Sequence, residues 1–188
     1  MKNLIVLLLT AVSLTGAQAI EPVEITEEPK EETQRLEKQY LTGREFTESE
    51  RIVLKFFQDE GITDPMALAV ILGNIKQESM FYPNICEGGS RVSYTSCRSG
   101  GYGLIQWTTD SRYLGLGNHA NKTGGDASSL RTQLEYLVTE REWKLALRWF
   151  SSPDKSMGFY MDGAYTWLGW GVEGNRSYYS QDYYNRLG

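Results

Sequence analysis

Histidine is almost absent from this 188-residue chain, which has only His119, and cysteine is represented by Cys86 and Cys97 alone. With so few of the side chains that enclose zinc, a closed metal site is not expected. Positive charge is not in excess either: 19 Lys and Arg stand against 24 Asp and Glu, a net charge of −5. The basic patch that nucleic-acid binding requires is therefore not expected. Long apolar runs are also missing. Beyond the N-terminal segment no stretch approaches the ~20 apolar residues that cross a bilayer, and no internal repeat is visible.

What is present begins with Met1-Lys2-Asn3, the short apolar run Leu4 to Leu9, and Ala17-Gln18-Ala19. A basic start, a brief apolar core and a small-x-small site read as a signal peptide over residues 1–19, cleaved after Ala19, with an uncleaved anchor as the alternative. The mature protein is expected to be exported, periplasmic or secreted. Residues 20–50 carry ten acidic and four basic side chains with Pro22 and Pro29, the composition of a solvated leader, assigned to residues 20–46. From Arg51 onward the charges balance at fourteen of each sign. A content of 40% hydrophobic and 12% aromatic residues suffices for one core, so one domain is expected over residues 47–188, acting as a monomer. Cys86 and Cys97 lie in one polar, Gly/Ser-rich stretch of an exported chain. A local disulfide is expected, with two free thiols as the alternative.

The helical signals give a mainly α fold. Thr47-Glu48-Ser49-Glu50 is a capping box ahead of Ile52, Val53, Phe56 and Phe57, and Gly61 stops that helix. Asp64 and Pro65 start a second helix, apolar on every side through Leu72, which predicts a helix buried all round that runs to about Ser79. Pro83 forbids continuation. A Gly-rich loop leads to Gly103-Leu104-Ile105-Gln106-Trp107. Asp126 or Ser128 is expected to cap a helix bearing Leu130, Leu134, Leu137 and Val138, continuing past a bend through Trp143, Leu147 and Trp149. A third, aromatic-rich helical region follows Pro153, with Trp143, Trp149 and Tyr183 expected in the core.

Glu78 is the candidate catalytic residue. A carboxylic acid at the end of a buried helix is partly desolvated, which disfavours its charged form and raises its pKa toward that of a general acid working near neutrality. Ser79 and Gln106 could orient that acid or a substrate. Tyr102 and Trp107 offer flat amphipathic faces. Glu87 and Asp110 are the nearest second carboxylates in sequence, and Glu87, beside Cys86, is favoured.

Taken in order, Gly73-Asn74, Glu78-Ser79 with Phe81, Tyr102-Gly103-Leu104 with Gln106-Trp107, and Arg112 resemble the phage tail lysozyme group of the lysozyme-like superfamily. The Glu-Ser and Gly-Leu-x-Gln pairing is also similar to soluble lytic transglycosylases and goose-type lysozymes, and the resemblance covers roughly residues 48–145. It implies a lysozyme-like fold with a buried central helix and a disulfide-tied loop or small hairpin over the cleft. It further implies a muramidase of phage origin acting on peptidoglycan glycan strands without a cofactor, with virion or tail components as partners. Tyr102, Trp107 and Tyr165 would then stack on sugar rings, and Ser79 and Gln106 would bind around Glu78.

Three other functions stay open at this point. A lytic transglycosylase would use the same fold. A glycan-binding module with a decayed site would bind without turnover. A cysteine amidase or peptidase would use Cys97 with His119, a pairing that a Cys86–Cys97 bond abolishes.

Overall fold

Thr47 opens the first helix, α1 (Glu48–Asp59), through the capping box: its hydroxyl accepts from Glu50 N–H while the Glu50 carboxylate accepts from Thr47 N–H at 2.6 Å. The computed structural model describes residues 46–98 and 100–188. The expected signal peptide, and the leader up to residue 45, lie outside the described residues. Phe46, just before the cap, is buried and stacks on Tyr183 with ring centroids 5.8 Å apart.

The second helix, α2 (Pro65–Ser79), is the axis of the core. The Asp64 carboxylate accepts from Met66 N–H at 2.9 Å and Ala67 N–H at 3.0 Å, a cap worth about 1 kcal/mol. Every residue from Ala67 to Ile75 is buried, as an all-round apolar helix requires. α2 ends in an unusual way. Met80 (φ 50°) and Phe81 (φ 64°) are consecutive non-glycine residues in the left-handed region, which costs on the order of 1 kcal/mol each. Ser79 compensates: its hydroxyl accepts from Phe81 N–H at 3.2 Å and donates to the Leu104 carbonyl at 2.8 Å. The helix end is thereby tied to the loop that faces it.

That loop is built of isolated antiparallel bridges, Ile85 with Arg91, Cys86 with Tyr102, and Tyr102 with Trp107. The Cys86–Cys97 disulfide closes it. Tyr102 and Trp107 exchange backbone hydrogen bonds at 3.2 and 2.9 Å around a tight turn, with Gly103 and Gln106 at positive φ. The expected hairpin is present.

The sequence reading differs from the structure over residues 110–150. Asp110–Thr123 forms a helix, α3, in a stretch rich in glycine and polar residues to which the sequence pattern assigns no element. Gly115 and Gly117 belong there for another reason: a Cβ on them would lie 2.1 Å from the Tyr136 hydroxyl and 2.6 Å from the Tyr94 hydroxyl. Ser129, one residue beyond the expected caps, starts α4 (Leu130–Leu137). Asp126 instead bonds Ser128 N–H, and Ser128 bonds Tyr94 N–H. A turn at Thr139 then separates α4 from an independent helix, α5 (Arg141–Phe150).

Ser156 caps α6 (Met157–Leu168), and α7 (Arg176–Leu187) closes the chain. Phe57, Trp143, Phe150 and Trp167 fill one end of the core, with Trp143 4.9 Å from Trp167. Trp143 and Tyr183 are buried as expected. Trp149 is only half-buried, under the Arg148 guanidinium at 3.9 Å. α7 packs against α2 at very short range because Gly73 has no side chain. A Cβ there would sit 2.7 Å from the Ser180 Cα.

Candidate active site

Glu78 follows Gly73 by five residues on α2, and Arg176 precedes Ser180 by four on α7. The close Gly73–Ser180 approach therefore lays the start of α7 across the end of α2. There the Arg176 guanidinium donates to the Glu78 carboxylate. The pair is largely out of water, with side-chain exposures of 5% for Arg176 and 17% for Glu78. Burial pushes the Glu78 carboxyl above its ordinary value, and the charges of Arg176 and Arg112, with the Arg176 hydrogen bond, oppose that rise without cancelling it. The same burial lowers the Arg176 guanidinium, with Glu78 and Glu173 pulling against it. Both shifts express one fact: desolvation outweighs the attraction between the charges.

Arg176 is fixed from two further sides. It donates to the Glu173 carbonyl at 3.2 Å and lies 4.6 Å from the centroid of the Trp170 ring. The loop carrying these residues is pinned to α2 by Gln77, whose side chain accepts from Asn175 N–H at 2.8 Å.

A second buried ion pair supports the other side of the site. Arg112 holds Glu140 through two hydrogen bonds of 2.7 and 2.8 Å, and Trp107 Nε1–H donates to the same carboxylate at 2.9 Å. Gln133, fully buried, accepts from Leu104 N–H at 2.8 Å and donates to the Pro83 and Ala127 carbonyls at 2.6 and 2.7 Å. Leu104 is therefore held at both ends of its peptide units, by Gln133 and by Ser79.

These contacts sort the candidate residues. Ser79, Tyr102 and Trp107 have essentially no exposed surface. Their polar atoms bond Leu104, Val92 and Glu140 respectively, so they frame the site and offer no open ring or hydroxyl to a sugar. Gln106 is half-buried and donates to the Gly103 carbonyl at 3.0 Å. Glu87 is exposed and accepts from Gly101 N–H at 3.1 Å. Asp110 is exposed in the first turn of α3. Tyr165 is 55% exposed and meets Trp170 edge-on at 5.1 Å. Tyr165, Trp170, Arg176 and Glu78 thus form a continuous line of contacts. The thiol of Cys97 is committed to its disulfide, and His119 lies on α3 against Tyr136, which removes the cysteine-enzyme alternative.

Sequence reasoning missed Arg176, Trp170 and Glu140. The motif residue Arg112 was visible without its partner, and nothing in the local pattern marks an arginine 98 residues beyond Glu78 as its counter-ion.

The family model for phage tail lysozyme matches residues 48–185. The chain belongs to the phage tail lysozyme family. The match takes in α7, and so Arg176, whereas the motif resemblance fades near residue 145. Morphogenesis protein 1 of Bacillus phage B103 is 30% identical over 105 residues, which are 54% of this chain and 26% of that protein. The chain thus spans about a quarter of the length of this relative. Membership of the phage tail lysozyme family supports a peptidoglycan-cleaving enzyme in general terms.

Proposed function

We propose that the protein is a muramidase that hydrolyses the bond between N-acetylmuramic acid and N-acetylglucosamine in peptidoglycan, with Glu78 as general acid. The observation that carries this reading is the Glu78 carboxyl, desolvated at the end of α2 and shifted upward in pKa by that burial. A protonated carboxylic acid beside the glycosidic oxygen donates its proton as the C–O bond breaks, and the leaving sugar departs neutral.

Hydrolysis also needs a carboxylate that activates water or attacks the anomeric carbon. We assign this to Glu87, an exposed residue with one oxygen on the Gly101 amide. Gly100 gives the Glu87 side chain its place, since a Cβ there would fall 1.6 Å from the carboxylate. Tyr165 and Gln106 bind the glycan strand beside Glu78. The exported, monomeric chain acts on the cell wall in the service of a phage, in company with virion or tail components.

Digestion of purified peptidoglycan by wild type, Glu78→Gln and Glu87→Gln tests the assignment. Soluble muropeptides with reducing muramic ends are expected from wild type, and none from Glu78→Gln. Products lighter by one water would make the enzyme a lytic transglycosylase, and full activity of Glu87→Gln would remove Glu87 from the mechanism.

A further inference from the structure

Beyond Arg176 the site opens into a cavity of about 410 Å³ between α6 and the start of α7. Met157 and Met161 contribute thioethers, Tyr165 and Trp170 contribute ring surface, and Asp162 and Glu173 contribute carboxylates. No lysine or arginine lines it. One Glu173 oxygen accepts from the Ser177 hydroxyl, and the other takes no hydrogen bond among the described residues. Asp162 is exposed and forms no side-chain ion pair among them. Behind Met161, the Asn74 amide lies 3.5 Å from the thioether sulfur, and its buried carbonyl oxygen has no hydrogen-bond partner among the described residues.

Aromatic faces, soft sulfur, the Asp162 carboxylate and a Glu173 carboxylate shared with the charge of Arg176 form an environment that attracts a positively charged amine: the rings through their quadrupoles, the carboxylates through charge. The same indole already carries a guanidinium, Arg176, at 4.6 Å. A neutral sugar would stack on the rings but offer no charge to the Asp162 carboxylate.

We propose that this cavity binds a free, protonated amino group on the peptide stem of peptidoglycan, so that the enzyme selects glycan strands by the charge of their stems. The inference rests on the muramidase reading for its choice of substrate. Its position supports it, because Trp170 lines the cavity and carries Arg176, which in turn holds Glu78, and the stem hangs from the muramic acid whose bond is cut. Occupancy would also seat the loop that carries Trp170, Glu173 and Arg176.

Two measurements test this. In the first, calorimetry compares an N-acetylmuramyl peptide ending in lysine with its Nε-acetylated form; neither contains a bond to cleave, so the result does not depend on catalysis. Wild type is expected to bind the free amine about tenfold more tightly, as a cation–π contact with a carboxylate would give, and Asp162→Asn/Glu173→Gln is expected to bind both alike. In the second, wild type is expected to cleave peptidoglycan several-fold faster before amine acetylation than after it, with the double variant indifferent. Equal binding of both peptides by wild type, or discrimination retained by the double variant, overturns the proposal. Discrimination in binding with no cleavage of either peptidoglycan supports the amine site and instead refutes the muramidase reading.

Discussion

Glu78 at the end of α2 and Arg176 at the start of α7 form a buried ion pair across 98 residues of sequence. Burial and Arg176 pull on the carboxyl in opposite senses: burial raises the Glu78 pKa, and the Arg176 charge limits how far it rises.

Arg176→Met should therefore move the alkaline limb of the pH–kcat/KM profile to higher pH. The charge that favours the carboxylate is gone, Glu78 keeps its proton further into the alkaline range, and loss of the general acid is delayed. Arg176→Lys, which retains the charge, should keep the limb near the wild-type position while lowering activity through the lost guanidinium geometry. Profiles on soluble peptidoglycan fragments check both. A limb that stays fixed in Arg176→Met would mean that Arg176 merely holds α7 in place.

Stability should carry the opposite sign of the same effect. The Glu78 pKa is raised in the folded state, so its contribution to stability is fully present below the unfolded value, ~4.3, and is lost as pH rises through the folded value. Glu78→Gln mimics the protonated form at every pH. It should be more stable than wild type near neutrality, and the gain should vanish below about pH 4. Urea unfolding at several pH values reads this directly, and a variant less stable at pH 7 would contradict the desolvation argument.

Gly73→Ala should destabilise the protein by roughly 2–3 kcal/mol, the range for overpacking a filled core, because the new methyl meets the Ser180 backbone at 2.7 Å and has no room to move. Since the same contact sets α7 against Glu78, activity should fall by more than the unfolded fraction explains. Chemical denaturation combined with specific activity measured well below the transition separates the two effects.

How far these features were legible in the sequence follows from how local their causes are. α1 and α2 were readable because their caps, Thr47 and Asp64, bond within three residues, and the apolar run of α2 leaves one interpretation. α3 was not, because Gly115 and Gly117 serve packing against Tyr136 and Tyr94, and a glycine that makes room looks the same in sequence as one that breaks a helix. The burial of Glu78 was legible, since it follows from the apolar helix before it. Ser79, Tyr102 and Trp107 are expected from their motifs to bind substrate. Their partners, Leu104, Val92 and Glu140, show that a residue in a motif can hold the site together without facing it. Arg176 and Trp170 belong to the site only through the packing of α7 on α2, which no sequence window contains.

Opening the Cys86–Cys97 bond by the double serine substitution should cost about 2–3 kcal/mol, as expected for so short a closed loop, with 11 residues of separation. It should also loosen the hairpin that Glu87 and Ser79 hold. A lowered denaturation midpoint, with wild type under reducing conditions approaching the variant, is the expected result. Identical midpoints for oxidised wild type and variant would deny the bond any part in stability.

The account turns on the proton of Glu78, and the most direct test is the release of reducing ends from purified peptidoglycan by wild type and Glu78→Gln, each first shown to be folded by circular dichroism. Wild type is predicted to release them steadily and Glu78→Gln to fall by at least about a thousandfold, approaching background, as loss of the general acid implies. A folded Glu78→Gln protein that still cuts glycan strands at a substantial fraction of the wild-type rate would contradict the assignment outright.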